Sequence, residues 1–157
     1  MSVVPILEKG NELLEKKSHP VTKFDRRLEL LLRDMEDTLI DAGGVGLAAP
    51  QIGILRRVFI VMEPETGKIT HYINPEILER KGEQLPPEGC LSVPGVWGKV
   101  KRPAYVKLRA QDKHGNWFEA EGEGLIAQAF DHENDHLNGE LFVDKIVEPI
   151  EVETEED

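Results

Sequence analysis

The 157-residue sequence contains one cysteine, Cys90, so no internal disulfide can form and the chain suits a reducing compartment. Long apolar runs are missing as well. LELLL is among the longest and is far too short to span a bilayer. The N-terminal MSVVPILEKG lacks the basic stretch, apolar core and cleavage site of a secretory signal, so a cytoplasmic protein without membrane attachment is expected. Positive charge is scarce: 19 Lys and Arg face 30 Asp and Glu, for a net charge of −11. That balance argues against direct nucleic-acid binding, although Lys99, Lys101 and Arg102 form a local basic run. Internal repeats are absent, and the one biased segment is the acidic end, EVETEED, read as a solvated tail.

With 39% hydrophobic and 31% charged residues, the length suits one compact domain, residues 1–148, followed by an acidic tail, 149–157. Phe24, Leu28, Leu31, Met35 and Leu39 recur at helical spacing, with Gly43 and Gly44 as a stop, which predicts a long N-terminal helix. VFIVME and KITHYINPEIL flank the turn-rich PETG and predict a hairpin whose second strand leaves regular pairing at Pro75. AYVKLRAQD and NWFEAEGE predict another hairpin around Lys113, His114 and Gly115. A second helix is expected from about Gly124 to Leu137, stopped by Asn138-Gly139. Helix, strands and a final helix without βαβ alternation indicate an α+β fold, with antiparallel or mixed strands packed around the C-terminal helix.

That helix carries DHENDHLNG, in which His132, Glu133 and His136 form H-E-x-x-H. At this spacing two imidazoles share one helical face and can grip a metal, with a carboxylate placed to move protons. A catalytic centre of this kind needs a third protein ligand and an open position. The longer pattern with a third histidine is excluded: Gly139 fits it, but Phe142 stands where histidine is required. Glu148 and Glu151 can be nominated, yet too little chain follows His136 for another packed helix. Cys90, in EGCLSVPG, is the best candidate, because a thiolate is a strong ligand for divalent first-row metals. A lone cysteine is usually a small buried hydrophobe; the unfilled coordination position reverses that expectation. Leu125 and Ala129 share the face of the two histidines, which sets a metal against an apolar wall. His19, His71 and His114 stand apart and receive no role.

GGVGLAAPQIG, residues 43–53, is the second informative segment. Gly44, Gly46 and Ala49 satisfy G-x-G-x-x-A, but a helix precedes the run and Pro50 would interrupt any helix that followed, which argues against a dinucleotide site. Such glycines also let backbone approach a ligand closely, and Gln51 adds a neutral amide donor.

GVGLAAPQIG, EGCLS and HENDH, in this order, resemble the three signature motifs of peptide deformylases, metal enzymes that remove the N-formyl group from nascent bacterial polypeptides. PILEKGNELLEKKSHPVTKFD, YINPEI and the SVPG to VKRP stretch extend the resemblance over nearly the whole chain. The resemblance implies Cys90, His132 and His136 as ligands to one divalent metal. Fe(II) is the expected ion, with nickel or cobalt substituting well and zinc poorly. It further implies Glu133 as general acid and base, and the Gln51 amide with the Leu91 N–H as donors to the developing oxyanion. One departure stands out: Asp131 replaces the glutamine common before the first histidine, and its place on the helix predicts a change in local charge rather than in chemistry.

The expected reaction is attack by a metal-activated water on the formyl carbon, releasing formate and a free amine. N-formylmethionyl peptides would add as an extended strand beside Gly46. Val45, Leu125 and Ala129 would form the apolar pocket for the methionine, with Gln128 at its rim. Arg102 would pair with Glu88 or Asp135 to brace the ligands from behind. A monomer is expected. Two rival readings have distinct consequences: an H-E-x-x-H peptidase would cleave internal peptide bonds, and a structural metal module would need a fourth protein ligand.

Overall fold

A computed structural model describes residues 2–151. Its first helix, α1, spans Arg26–Ala42. It begins after Phe24 because Asp25 caps it: the carboxylate accepts the Leu28 N–H at 3.2 Å, satisfying a donor that the first turn leaves open. Gly43, at φ 70°, ends it in the left-handed conformation that glycine adopts without a Cβ penalty. Leu28, Leu32, Met35 and Leu39 form its buried stripe.

Five strands follow one another as an antiparallel sheet: β1 (Gly46–Ala48), β2 (Val58–Met62), β3 (Ile69–Lys81), β6 (Tyr105–Gln111) and β7 (Trp117–Glu123). Side chains alternate across a strand, so β2 splits its apolar run between two cores. Val58 and Ile60 join the α1 stripe, whereas Phe59 and Val61 pack with Tyr72, Val106 and Leu108 against the second helix, α2 (Gly124–Leu137). The sheet is thus sandwiched between α1 and α2.

β3 does not end at Pro75. It pairs with β2 up to Ile73, shifts register between Ile73 and Glu76, and continues against β6 to Lys81. Asn74 absorbs the bulge at φ 51°, where its side chain accepts the Val21 N–H and donates to the Val21 carbonyl and to Gln111. A proline lacks the ladder N–H, and a bulge is where that loss costs least.

The second sheet is small, with β4 (Pro87–Cys90), β5 (Val93–Val100) and β8 (Ile146–Ile150) in that order. Val93, Val100 and Phe142 form its core, and Phe142 also meets His132 of α2. Pro149 and Ile150, expected in the acidic tail, pair with Gly98 and Trp97; residues 152–157 of that tail lie outside the described residues. The basic run is also divided, since Val100 and Arg102 are buried and Lys99 pairs with Glu148. Among the described residues no helix is long and apolar enough to cross a membrane.

Candidate metal centre

α2 is buried from Ala127 through Leu137, an unusual setting for a segment that contains DHENDH. Most polar side chains there are tied to one another or to Glu88 and Arg102. His132 and His136 are successive residues of one helical face, with ring centroids 4.9 Å apart and Nε2 atoms at 3.2 Å. Cys90, at the end of β4, sets its Sγ 3.3 Å from His136 Nε2. The three ligand atoms lie within 4.8 Å of one another, the span of a coordination shell. Neither Glu148 nor Glu151 belongs to this group. Phe142, in the position where a longer motif has histidine, instead packs its ring 6.1 Å from that of His132.

The electrostatics suit a cation. Burial works against charge on His132, but Glu133, Cys90 and Glu88 outweigh it and raise its pKa well above the imidazole range. Burial lowers His136 well below that range, reinforced by His132 and Arg102. Two nitrogens and a sulfur converge there, a donor set that suits a divalent first-row ion. His132 Nδ1 meets Glu88 Oε2 at 2.8 Å, which turns Nε2 toward the cluster.

Glu133 lies on the inner side of the site, 4% exposed, with Oε1 lacking a hydrogen-bond partner among the described residues. Burial raises its pKa to about 7. Its other oxygen faces Gly46, where an added Cβ would sit 2.6 Å from Oε2. Gly46→Ala is therefore expected to cost about 1–3 kcal/mol of stability, because the added Cβ would also lie 3.1 Å from Cδ and from Cγ of the buried Glu133 side chain. Turnover should fall roughly 100-fold through misplacement of the carboxylate. Parallel unfolding and rate measurements check this; unchanged turnover would show that Glu133 does not need its present place.

Gln51 is held by a 3₁₀ turn, Ala49–Ile52. Its Oε1 accepts the Ala48 N–H at 2.9 Å, so Nε2 must point the other way, where it donates to Ser92 Oγ at 3.1 Å and approaches Cys90 Sγ at 3.6 Å. Leu91 occupies the turn joining β4 to β5. A cavity of about 500 Å³ opens over the cluster, lined by Gly46, Val45, Gln51, Cys90, Leu91, Leu125, Gln128, Ala129 and His132. The residues expected around the methionine side chain and the oxyanion border this one space, whereas Glu133 and His136 are not in its lining. Gln128 does more than form a rim, since its amide donates to Pro87 O and Glu88 Oε1.

Arg102 does not choose between the two partners expected for it. Nε and Nη2 bind both oxygens of Glu88 at 2.9 and 2.5 Å, while Nη1 donates to Asp135 at 2.7 Å and Asp131 at 3.0 Å. Asp131, expected to change only local charge, is a buried member of this network. Ser92 and Trp97 were not legible as site residues. Ser92 is the hydrogen-bond partner of Gln51, and Trp97 lines the cavity with its indole laid over Gly89. A glycine directly before Cys90 was the only sequence sign of that close approach.

Known proteins resemble this chain over nearly its whole length. Residues 3–151 match the family model described as Polypeptide deformylase. Peptide deformylase 1 of Bacillus cereus is 50% identical over 147 residues, covering 93% of this chain and 94% of that protein. The crystal structure of a peptide deformylase from Legionella pneumophila superposes with a TM-score of 0.89 at 44% identity, covering 92% of this chain and 86% of that one. A Met-ala-ser-bound class I type b peptide deformylase from Acinetobacter baumannii reaches 0.87 at 36% identity, covering 92% and 99%. A Cys-His-His cluster at the floor of an open cavity, a sandwiched sheet and matches along nearly the entire length have one common account: the chain belongs to the polypeptide deformylase family.

Proposed function

We propose that Cys90, His132 and His136 hold the single divalent metal at which this chain, a deformylase by family, removes the formyl group from N-formylmethionyl peptides. The observation that carries the reading is their convergence within 4.8 Å beside the buried Glu133, whose Oε1 has no hydrogen-bond partner among the described residues. Such an ion would supply Lewis acidity, polarising the formyl carbonyl and acidifying water. Glu133 takes the proton of the attacking water and returns it to the departing amine, leaving formate and a free N-terminus. The Gln51 amide and the Leu91 N–H donate to the carbonyl oxygen as negative charge develops there. Gln51 suits the task because Ala48 fixes its amide with the N–H₂ group toward the site.

The peptide backbone adds to the free edge of β1, the terminal strand of its sheet, beside Gly46. Val45, Leu125 and Ala129 receive the methionine side chain, and the Acinetobacter relative with Met-ala-ser bound supports a site of that shape. Fe(II) is the proposed ion, with nickel or cobalt as substitutes, on the strength of the family resemblance; the sulfur and imidazole donors by themselves fit divalent first-row metals in general. The chain is proposed to act as a cytoplasmic monomer, in keeping with its lone cysteine.

The test is formate release from a formyl-methionyl tripeptide by anaerobically purified protein loaded with Fe(II) or nickel, beside an acetylated control. Rapid release with the acetyl peptide untouched is the expected result. No release at one metal per chain would sink the substrate assignment.

A further inference from the structure

Three carboxylates converge on one buried guanidinium, and the reaction chemistry does not explain why. Arg102 carries one positive charge, whereas Glu88, Asp131 and Asp135 bring three negative ones. Uncompensated charge in such a place is strongly destabilising. Two surface cations complete the balance: Arg80 Nε donates to Asp131 Oδ1 at 3.0 Å, and Lys145 Nζ donates to Asp135 Oδ2 at 2.9 Å.

The division of donors inside the network matters more than the total. Asp131 and Asp135 share Nη1 of Arg102, which leaves Nε and Nη2 free to grip both oxygens of Glu88. Glu88 in turn orients His132 through Nδ1. Each aspartate is held from outside by its own cation. Without Arg80, Asp131 must satisfy both oxygens from Arg102, and the guanidinium is drawn toward α2 and away from Glu88. The geometry points to Arg80 as a positioning residue for the metal centre, acting through Asp131, Arg102 and Glu88 on His132. This inference rests on reading Cys90, His132 and His136 as metal ligands. Arg80 lies on β3, outside the cavity lining, with a side chain 49% exposed. Its hold on Asp131 is consequently open to screening by salt, unlike the buried bonds it supports.

The experiment uses cobalt-loaded protein and an excess of chelator, following the decay of the cobalt–thiolate absorption from Cys90. Arg80→Gln should lose cobalt about tenfold faster than the parent, the lower end of what outer partners of metal ligands contribute. Asp131→Asn added to Arg80→Gln should return the rate close to the parent value, because a neutral amide no longer needs the cation. Sodium chloride should speed cobalt loss from the parent but not from the double variant. A merely structural role for Arg80 would give no rescue. An unchanged rate in Arg80→Gln, or faster loss in the double variant than in the single, overturns the proposal. Absence of any cobalt–thiolate band in the parent would overturn the ligand assignment and this inference together, whereas formate release without an effect of Arg80→Gln overturns this inference alone.

Discussion

Glu133→Gln is expected to lower turnover by about 10²- to 10⁴-fold, the usual contribution of a positioned proton-transfer group, while metal content stays at the parent level. The side chain keeps its size, and it is absent from the ligand cluster, so the metal site has no reason to change. The pH profile separates loss of a proton acceptor from general damage. Burial raises the Glu133 carboxyl from 4.5 to about 7, and a proton acceptor must be ionised. Activity of the parent should therefore fall on the acid side, along a limb at or below pH 7, since a nearby cation can only lower that pKa. Residual activity of the glutamine variant should lack the limb. In metal-free protein the same shift has the opposite sign for stability. A carboxyl raised in the folded state stabilises below pH 4.5 and loses that contribution as pH rises through about 7. In urea unfolding the glutamine variant should lose less stability than the parent as pH rises from 4.5 to 7. Near-normal turnover at full metal content would remove Glu133 from the proposed role.

Arg102→Met carries the largest expected cost in stability, about 3–5 kcal/mol, because it strands buried carboxylates without their shared partner. Arg102 is 1% exposed and among the largest fully buried side chains, so solvent cannot take its place. Burial alone would raise the Glu88 carboxyl, but His132 and Arg102 outweigh it and hold the pKa at about 2. A carboxyl depressed in the folded state contributes stability above its ordinary 4.5, and that contribution is lost as pH falls toward 2. The gap between parent and variant should thus be widest at neutral pH and narrow below pH 4.5. Urea unfolding of both metal-free proteins at pH 7 and at acid pH measures it. A gap independent of pH would mean that methionine packs badly rather than that charge is uncompensated. Metal retention should fall as well, since Glu88 loses the bidentate partner that steadies it against His132.

The two helices and both hairpins were legible because each rests on a local signal. The α1 stripe recurs at helical spacing, Gly43 supplies its stop, and α2 ends at Asn138 as its turn residues indicate. The Pro75 region was read only in part. A proline announces the loss of one ladder bond, but whether a strand ends or bulges depends on what lies on its other edge, here β6. Asp131 shows the same limit. Its place on the helix predicts an outward side chain, yet Arg80 on β3 and Arg102 in the segment between β5 and β6 both bind it.

What the sequence determined by itself were the chemical types and their local spacing: two imidazoles four residues apart, a carboxylate between them, one cysteine, and a glycine run that admits a close neighbour. These follow from helix periodicity and ligand chemistry, which need no knowledge of distant residues. Tertiary structure decided which side chains share a charge and which oxygen faces which proton. Arg102 could have paired with Glu88 or Asp135, and it binds both together with Asp131. The reason is physical: a buried charge is stable only when every partner is in place, and those partners come from β3, β4, α2 and the segment after it, which meet only when the chain is folded.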